Sequence, residues 1–400
     1  MKTRNFFLKT SLLSIFFLGT VMETISPALN DIALAFPDID PRDIQQLSPI
    51  SANFIVIFTI ISGILATRVN RKALIYIGCA VELIAGGMQF FATSYAMLLY
   101  GRCLLGCGVG LLAPFAAGAL VGDFFEGKEY HQMMGWGNAS NNLGSLFTTF
   151  FGGILCAVNW HYTFIIHGLA LFCIIFTAWG MPELPKPVNN KGRSGENIWS
   201  KLRLHPYVWF SAFGIAMGMF CQLQFAVNIS MVLAADGLGN AAMAGYILTI
   251  STVGCIVGAM LYPRWRLIFK NYIPVFAVIC QIFNFFIIYN AYSVWIFFIA
   301  VFVAGFGQGM FIPHIFARSS TKVKPELVGF AFSVITVGIN VGILSSVKIL
   351  SMKVGPAILG IGFGRPMWLL TGSLLCVVLL YWLVGIIIFD RQEKKALATV

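Results

Sequence analysis

Glu23 has the clearest claim to chemistry in this sequence, because it lies deep inside an apolar stretch that runs from Leu12 to Phe36. An ionised carboxylate near the centre of a bilayer costs several kcal/mol unless it is paired, wetted or protonated. Acids in such places therefore face a bundle interior or a water-filled path. Such a group can take up and release a proton, and it can hold a cation. The competing reading puts Glu23 near the outer headgroups, with Asp31 at a helix end. Arg102 is a second charge inside an apolar run, either turned inward or snorkelling to the headgroups. Glu82 is another buried acid. It shares a helix face with Gly86 at i+4, which predicts a packed, structural or protonated group. The amides Asn138, Asn142, Gln222, Gln224, Asn228, Gln308 and Asn340 also fall in apolar runs, where they either contact a bound molecule or act as helix–helix glue. His314 reads as a hydrogen-bonded helix end, with a gating role as the alternative.

Membrane helices must hold these residues. The chain is 58% hydrophobic and 10% charged over 400 residues, more apolar surface than a soluble fold can bury. Runs long enough to cross a hydrocarbon core of about 30 Å occur near 10–32, 48–66, 73–93, 96–120, 131–157, 160–181, 206–233, 241–262, 272–290, 294–316, 328–350 and 366–389. The expected fold is thus all-α, with twelve transmembrane helices. The apolar run at the N-terminus continues past the small residues at Ser26 to Ala28, so an uncleaved first span is expected rather than a signal peptide. With a cytoplasmic N-terminus, the outer loops hold only Arg42, Lys348, Lys353 and Arg365. Arg102 lies within the membrane, and the rest of the 26 Lys and Arg fall on the inner side, which places both termini in the cytoplasm. The domain boundaries expected are a six-helix bundle over 1–181, a polar, Pro- and Gly-containing cytoplasmic linker over 182–205, and a second six-helix bundle over 206–400.

The formal charge of +11 lies in short clusters between apolar runs, with no aromatic-interleaved basic face, so nucleic acid is not an expected partner. All nine cysteines sit in apolar runs, and no His or acid joins Cys103 and Cys107 at ligand spacing, so neither a metal nor another cofactor is expected. Glycine motifs occur without the Lys-Ser/Thr of a nucleotide site, which argues against ATP-driven work. No nucleophile–base constellation occurs in the short loops, so an enzyme is not expected.

The two halves repeat one another. Gly106-x-Gly108-x-Gly110-x-x-x-Pro114 recurs as Gly305-x-Gly307-x-Gly309-x-x-x-Pro313 at an offset of 199, and Asn142-x-Gly144 recurs as Asn340-x-Gly342 at 198. Glycine at this density lets helix backbones approach closely, and a helix-interior proline permits a bend. At the same offset Glu23 corresponds to Gln222, so the second half is expected to bind rather than titrate.

This pattern resembles the major facilitator superfamily, with two parallel six-helix repeats. Glu23-x-x-x-Pro27-Ala28-Leu29-Asn30-Asp31-Ile32-Ala33 is similar to the first-helix signature of its twelve-span drug:proton antiporter branch, with Glu for Asp and Asn30 for a proline. Leu98-x-x-x-Arg102-x-x-x-Gly106-x-Gly108 resembles the fourth-helix motif whose arginine is associated with proton transfer. The stretch from Gly63 through Thr67, Arg68 and Asn70 to Arg71 and Lys72 resembles the loop motif between helices two and three, with Thr67 for its aspartate and Asn70 for its glycine. Gly135, Gly144, Gly152 and Gly153 fit the glycine frame of the antiporter motif, but Thr148-Thr149 replace its Gly-Pro.

The resemblance implies a proton-coupled exporter of lipophilic small molecules, cations permitted, working by alternating access as a monomer in the cell membrane. The alternative is a symporter or uniporter for a metabolite, sugar or lipid. Glu23 and Arg102 would couple protons, lying roughly 21 Å and 18 Å above the inner face by helix rise. Glu23 and the amides would contact substrate, and the glycine, proline and loop motifs would serve the conformational change.

Overall fold

In lipid a backbone must satisfy its own hydrogen bonds, so apolar runs of this length can only become helices. The computed structural model bears this out over the residues it describes, 2–66, 69–115, 120–125, 127–182, 205–323 and 328–398; no strand occurs among them. Eleven helical stretches are long and apolar enough to cross a bilayer. One of them, Ala241–Asn290, has 50 residues and covers two expected spans. It breaks at the short turn Lys270–Tyr272, where Lys270 takes φ 49°, a left-handed conformation that a regular helix cannot contain. The chain is an all-α, multi-pass membrane protein.

The first span is itself interrupted. Helix α1 (Lys2–Leu18) gives way to a tight 3-10 segment, Val21–Ala28, before α2 (Leu29–Ala35). Pro27 explains the change. It lacks the N–H that an α-helix would direct to the carbonyl of Glu23, and its ring crowds that same carbonyl. The spacing Glu23-x-x-x-Pro27 therefore loosens the backbone at the acid.

Next come α3 (Ile50–Leu65), α4 (Arg71–Phe90), α5 (Tyr95–Pro114), the long α6 (Gly127–Val158) and α7 (Leu169–Gly180), the last entered through a 3-10 segment at Trp160–Gly168. Side-chain caps start several of them: Asn70 Oδ1 accepts from Lys72 N at 2.9 Å, and Ser94 Oγ accepts from Met97 N at 3.3 Å. Beyond these lie α8 (Pro206–Ala235), α9 (Ala241–Phe269), α10 (Ile273–Asn290), α11 (Val294–Ser320), α12 (Val328–Ser346) with a π-helical extension at Val347–Val354, and α13 (Arg365–Ala398).

The described chain divides into two compact units, residues 1–192 with 239–249, and 193–238 with 250–400. Each is built on the same glycine frame. In the first, a Cβ on Gly106 would strike the carbonyl of Ser51 and one on Gly110 would lie 2.8 Å from Ile55 O, both on α3, whereas one on Gly108 would lie 2.9 Å from Gly78 O on α4. In the second, Gly305 and Gly309 meet the carbonyls of Ser251 and Cys255 on α9, whereas a Cβ on Gly307 would lie 3.1 Å from Ala277 Cα on α10. Likewise Gly144 packs on the Phe17 carbonyl of α1 and Gly342 on the Ala216 carbonyl of α8. The outer glycines thus seat one neighbour and the middle glycine another, in both units.

Candidate functional site

Glu23 stands in the 3-10 break, half-buried, and Ser145 Oγ of α6 donates a hydrogen bond to its Oε2. Helix α6 reaches this point by a continuous seam along α1. Ser140 Oγ donates to Leu13 O at 2.8 Å, Asn141 Nδ2 to Phe16 O at 3.1 Å, and Gly144 admits the Phe17 carbonyl. Higher up, Gly152 lets Thr24 O come within 3.2 Å of where its Cβ would be. The seam is legible as a stripe of small and polar residues at helical spacing (137, 140, 141, 144, 145, 152). Sequence reasoning singled out Asn138 and Asn142, beside the stripe, and missed Ser140, Asn141 and Ser145.

The replacement of Gly-Pro by Thr148-Thr149 acts on the same point. Both hydroxyls bond back to the carbonyl of Ser145, at 3.1 and 2.8 Å. Threonine back-bonding of this kind tends to bend a helix, here at the residue that holds Glu23.

Arg102 is fully buried and does not snorkel. Its Nε donates to Leu47 O at 2.8 Å, and its Nη2 donates to Met22 O at 3.0 Å and Ser48 O at 3.2 Å. The arginine therefore reaches the level of Glu23, as the depths predicted, but grips the backbone beside the acid. Among the described residues no ion pair joins Arg102 to Glu23. Carbonyl dipoles at the ends of two chain segments take the place of a counter-carboxylate. Helix α3 is locked to the same residue: Ser51 Oγ donates to Arg102 O at 2.8 Å, in the approach that Gly106 permits.

The other predicted residues separate into distinct environments. Gln224 and Asn228 are completely buried and bonded within the second unit. Gln224 Nε2 donates to Ser346 Oγ at 3.1 Å, Ser351 Oγ donates to Gln224 Oε1 at 3.2 Å, and Gly364 N donates to Asn228 Oδ1 at 2.7 Å. Both are thus held by partners on other elements of the second unit. Asn340 Nδ2 is turned onto its own helix at Thr336 O, 2.9 Å away. Gln222, Gln308 and Asn142 are half-buried, with Gln308 Nε2 3.7 Å from Met219 Sδ.

Arg68 and the side chain of Asn138 lie outside the described residues. In the loop motif, Lys72 Nζ donates to Met181 O at 2.6 Å, tying the start of α4 to the end of α7. Among the described residues no atom lies within 4 Å of a Cβ added at Gly63, so their packing does not demand glycine there. Gly153 does need it, because a Cβ would lie 2.8 Å from Gly245 Cα. Pro114 ends α5, and Pro313 lies inside α11.

Glu82 on α4 is fully buried, as predicted, and among the described residues neither carboxyl oxygen has a hydrogen-bond partner. His314 corrects an expectation. It is buried, but among the described residues neither ring nitrogen has a partner, so it is not a hydrogen-bonded helix end there. A cavity of about 360 Å³ opens along α1, lined by Leu13, Ser14, Phe17, Phe172 and Phe176 among others.

The Major Facilitator Superfamily sequence model matches residues 11–347. The chain belongs to this superfamily. It is similar to the bacillibactin exporter of Bacillus subtilis (strain 168), at 22% identity over 360 residues, 85% of this chain and 86% of the relative. It is also similar to the methylenomycin A resistance protein of the same organism, at 26% identity over 166 residues, 39% of this chain and 35% of the relative. Among solved structures, a bacterial homologue of the human lysosomal transporter Spinster, inward-facing and occupied, superposes with a TM-score of 0.79 at 15% identity, covering 96% of this chain and 97% of that one. This superfamily member is a membrane transporter of small molecules, not an enzyme.

Proposed function

We propose that the protein is a proton-coupled exporter of lipophilic small molecules, cationic ones included, working by alternating access in the cell membrane as a monomer with both termini in the cytoplasm. One observation carries the reading: Glu23 stands half-buried in a proline-loosened break of the first span, held by Ser145 and flanked by the backbone that Arg102 grips. A carboxyl group in so apolar a setting changes protonation readily when solvent access changes. A proton and a cationic cargo would then compete for it, which is all that antiport requires. The aromatic cavity beside α1 and the exporter and resistance-protein relatives support a lipophilic cargo.

The replacement of the antiporter motif's Gly-Pro by Thr148-Thr149 favours a second reading, a symporter or uniporter for a metabolite. Everted vesicles separate the two. Substrate addition discharges a preformed proton gradient if the protein is an antiporter, and Glu23→Gln abolishes the discharge while the protein still folds. Active transport by the Gln variant would remove Glu23 from the mechanism.

A further inference from the structure

At one end of the second unit, where α9 turns into α10 beside the end of α11, lies a polar cavity of about 120 Å³. That is room for several waters, or for one tetrahedral oxyanion. Three cations line it: Arg266, Arg318 and Lys322. The carboxylate bonded here is Asp390, which accepts from Arg318 Nη2 at 2.6 Å and from Asn271 Nδ2 at 2.9 Å. Arg318 is 7% exposed and its guanidinium lies 4.8 Å from the centre of the Tyr207 ring, so it is held in place by contacts behind the cavity.

Two neutral side chains, His314 and Tyr262, complete the lining. Among the described residues no partner is found for either ring nitrogen of His314, which is 2% exposed, or for the buried Tyr262 hydroxyl. Their rings meet edge to face at 6.1 Å. Leaving such groups unsatisfied is costly in a packed interior. Burial and the Arg318 guanidinium both push the Lys322 ammonium below its ordinary pKa, while Asp390 opposes the shift. Outside this cavity a larger groove of about 600 Å³ shares Tyr262, Arg266 and Asn271 and adds Pro263 and Leu267, the latter 78% exposed. Polar chemistry thus lies inside and apolar chemistry outside.

We propose that this cavity binds a phosphate group, supplied by an anionic phospholipid headgroup or by a free phosphate. Arg266, Arg318 and Lys322 supply charge-assisted donors to the oxygens of one tetrahedral anion. None of the cavity's residues belongs to the Glu23 site, so the proposal stands apart from the Glu23 reading.

The test uses the full-length protein. In neutral detergent, inorganic phosphate is titrated against chloride at matched ionic strength. In lipid nanodiscs, phosphatidylglycerol is compared with phosphatidylcholine. The readout in both arms is the thermal unfolding midpoint. A rise with both phosphate and phosphatidylglycerol, or with either alone, is expected, and the arm that responds identifies the source. Arg266→Gln with Lys322→Gln should weaken that response at least about tenfold in concentration, because two charged donors are lost. Arg266→Gln alone, at an exposed side chain, should weaken it less and serves if the double variant does not fold. Lys348→Gln with Lys353→Gln, far along the chain, should leave it intact. No response in either arm, or a response that the cavity variants share equally with the control, overturns the proposal.

Discussion

Glu23 and Gln222 hold the same register in the first span of their units, yet the two surroundings share almost nothing. Around Glu23 the helix is broken by a 3-10 segment, α6 presents a serine, and a buried arginine holds the neighbouring carbonyl. Around Gln222 the helix runs unbroken from Pro206 to Ala235. Ala226 stands where the first unit has Pro27, Ile343 where it has Ser145, and Val301 where it has Arg102. The glycine frame is the same in both units. The two units share the packing surfaces, which depend on backbone approach, but only the first carries charged side chains at these positions. A frame tolerates the loss of a charge more easily than a gain, because an unpaired ion in a packed membrane bundle is expensive while a valine or an alanine is not.

The comparison can be broken most severely at the shared frame. Gly106→Leu and Gly305→Leu should each abolish folded, detergent-extractable protein, since either side chain would occupy space held by backbone carbonyls; size-exclusion profiles check this. Loss at one site and tolerance at the other would mean that the frames are not equivalent. Next in size is the pair at the shared register. Glu23→Gln should abolish gradient-driven transport, whereas Gln222→Leu should change the substrate KM by about tenfold at most, the worth of a hydrogen bond or two. Equal losses in vesicle assays would contradict the division of labour between units.

Arg102→Lys should then lower the unfolding midpoint, because an ammonium lacks the planar fork that serves Leu47, Ser48 and Met22 together. Val301→Leu, at the corresponding place, should shift it less; differential scanning fluorimetry compares the two. The smallest effect expected is that of Ser145→Ala, which removes one donor from Glu23 and should slow transport by about tenfold or less while moving its pH profile. An unmoved profile would show that Ser145 is only a packing residue.

Much of this was legible in order along the chain. Apolar run length announced the spans, and the repeated Gly-x-Gly-x-Gly announced helices in close backbone contact. The acid's place inside the first apolar run was legible, whereas the 3-10 break at Glu23 appeared only in the structure. What was not legible is which polar groups find each other. Gln222 and Gln224 look alike in sequence, but one is half-buried while the other bonds Ser346 and Ser351. Arg365 reads as an outer loop charge. In the structure it pairs with Asp236 at 2.5 Å and also donates to the carbonyls of Ile288, Tyr289 and Ala291. The 199-residue spacing exposes the repeat but not that the middle and outer glycines serve different neighbours.

By itself the amino-acid order determined the helices and the two equivalent sets of packing faces, because hydrophobic length and glycine spacing act locally and lipid leaves the backbone no other option. Only the tertiary structure decided that Arg102 answers to carbonyls rather than to Glu23, that Ser145 rather than a neighbouring asparagine holds the acid, and that His314 opens onto a cation-lined cavity. Those outcomes turn on side chains from helices distant in sequence meeting within about 3 Å, the reach of a hydrogen bond.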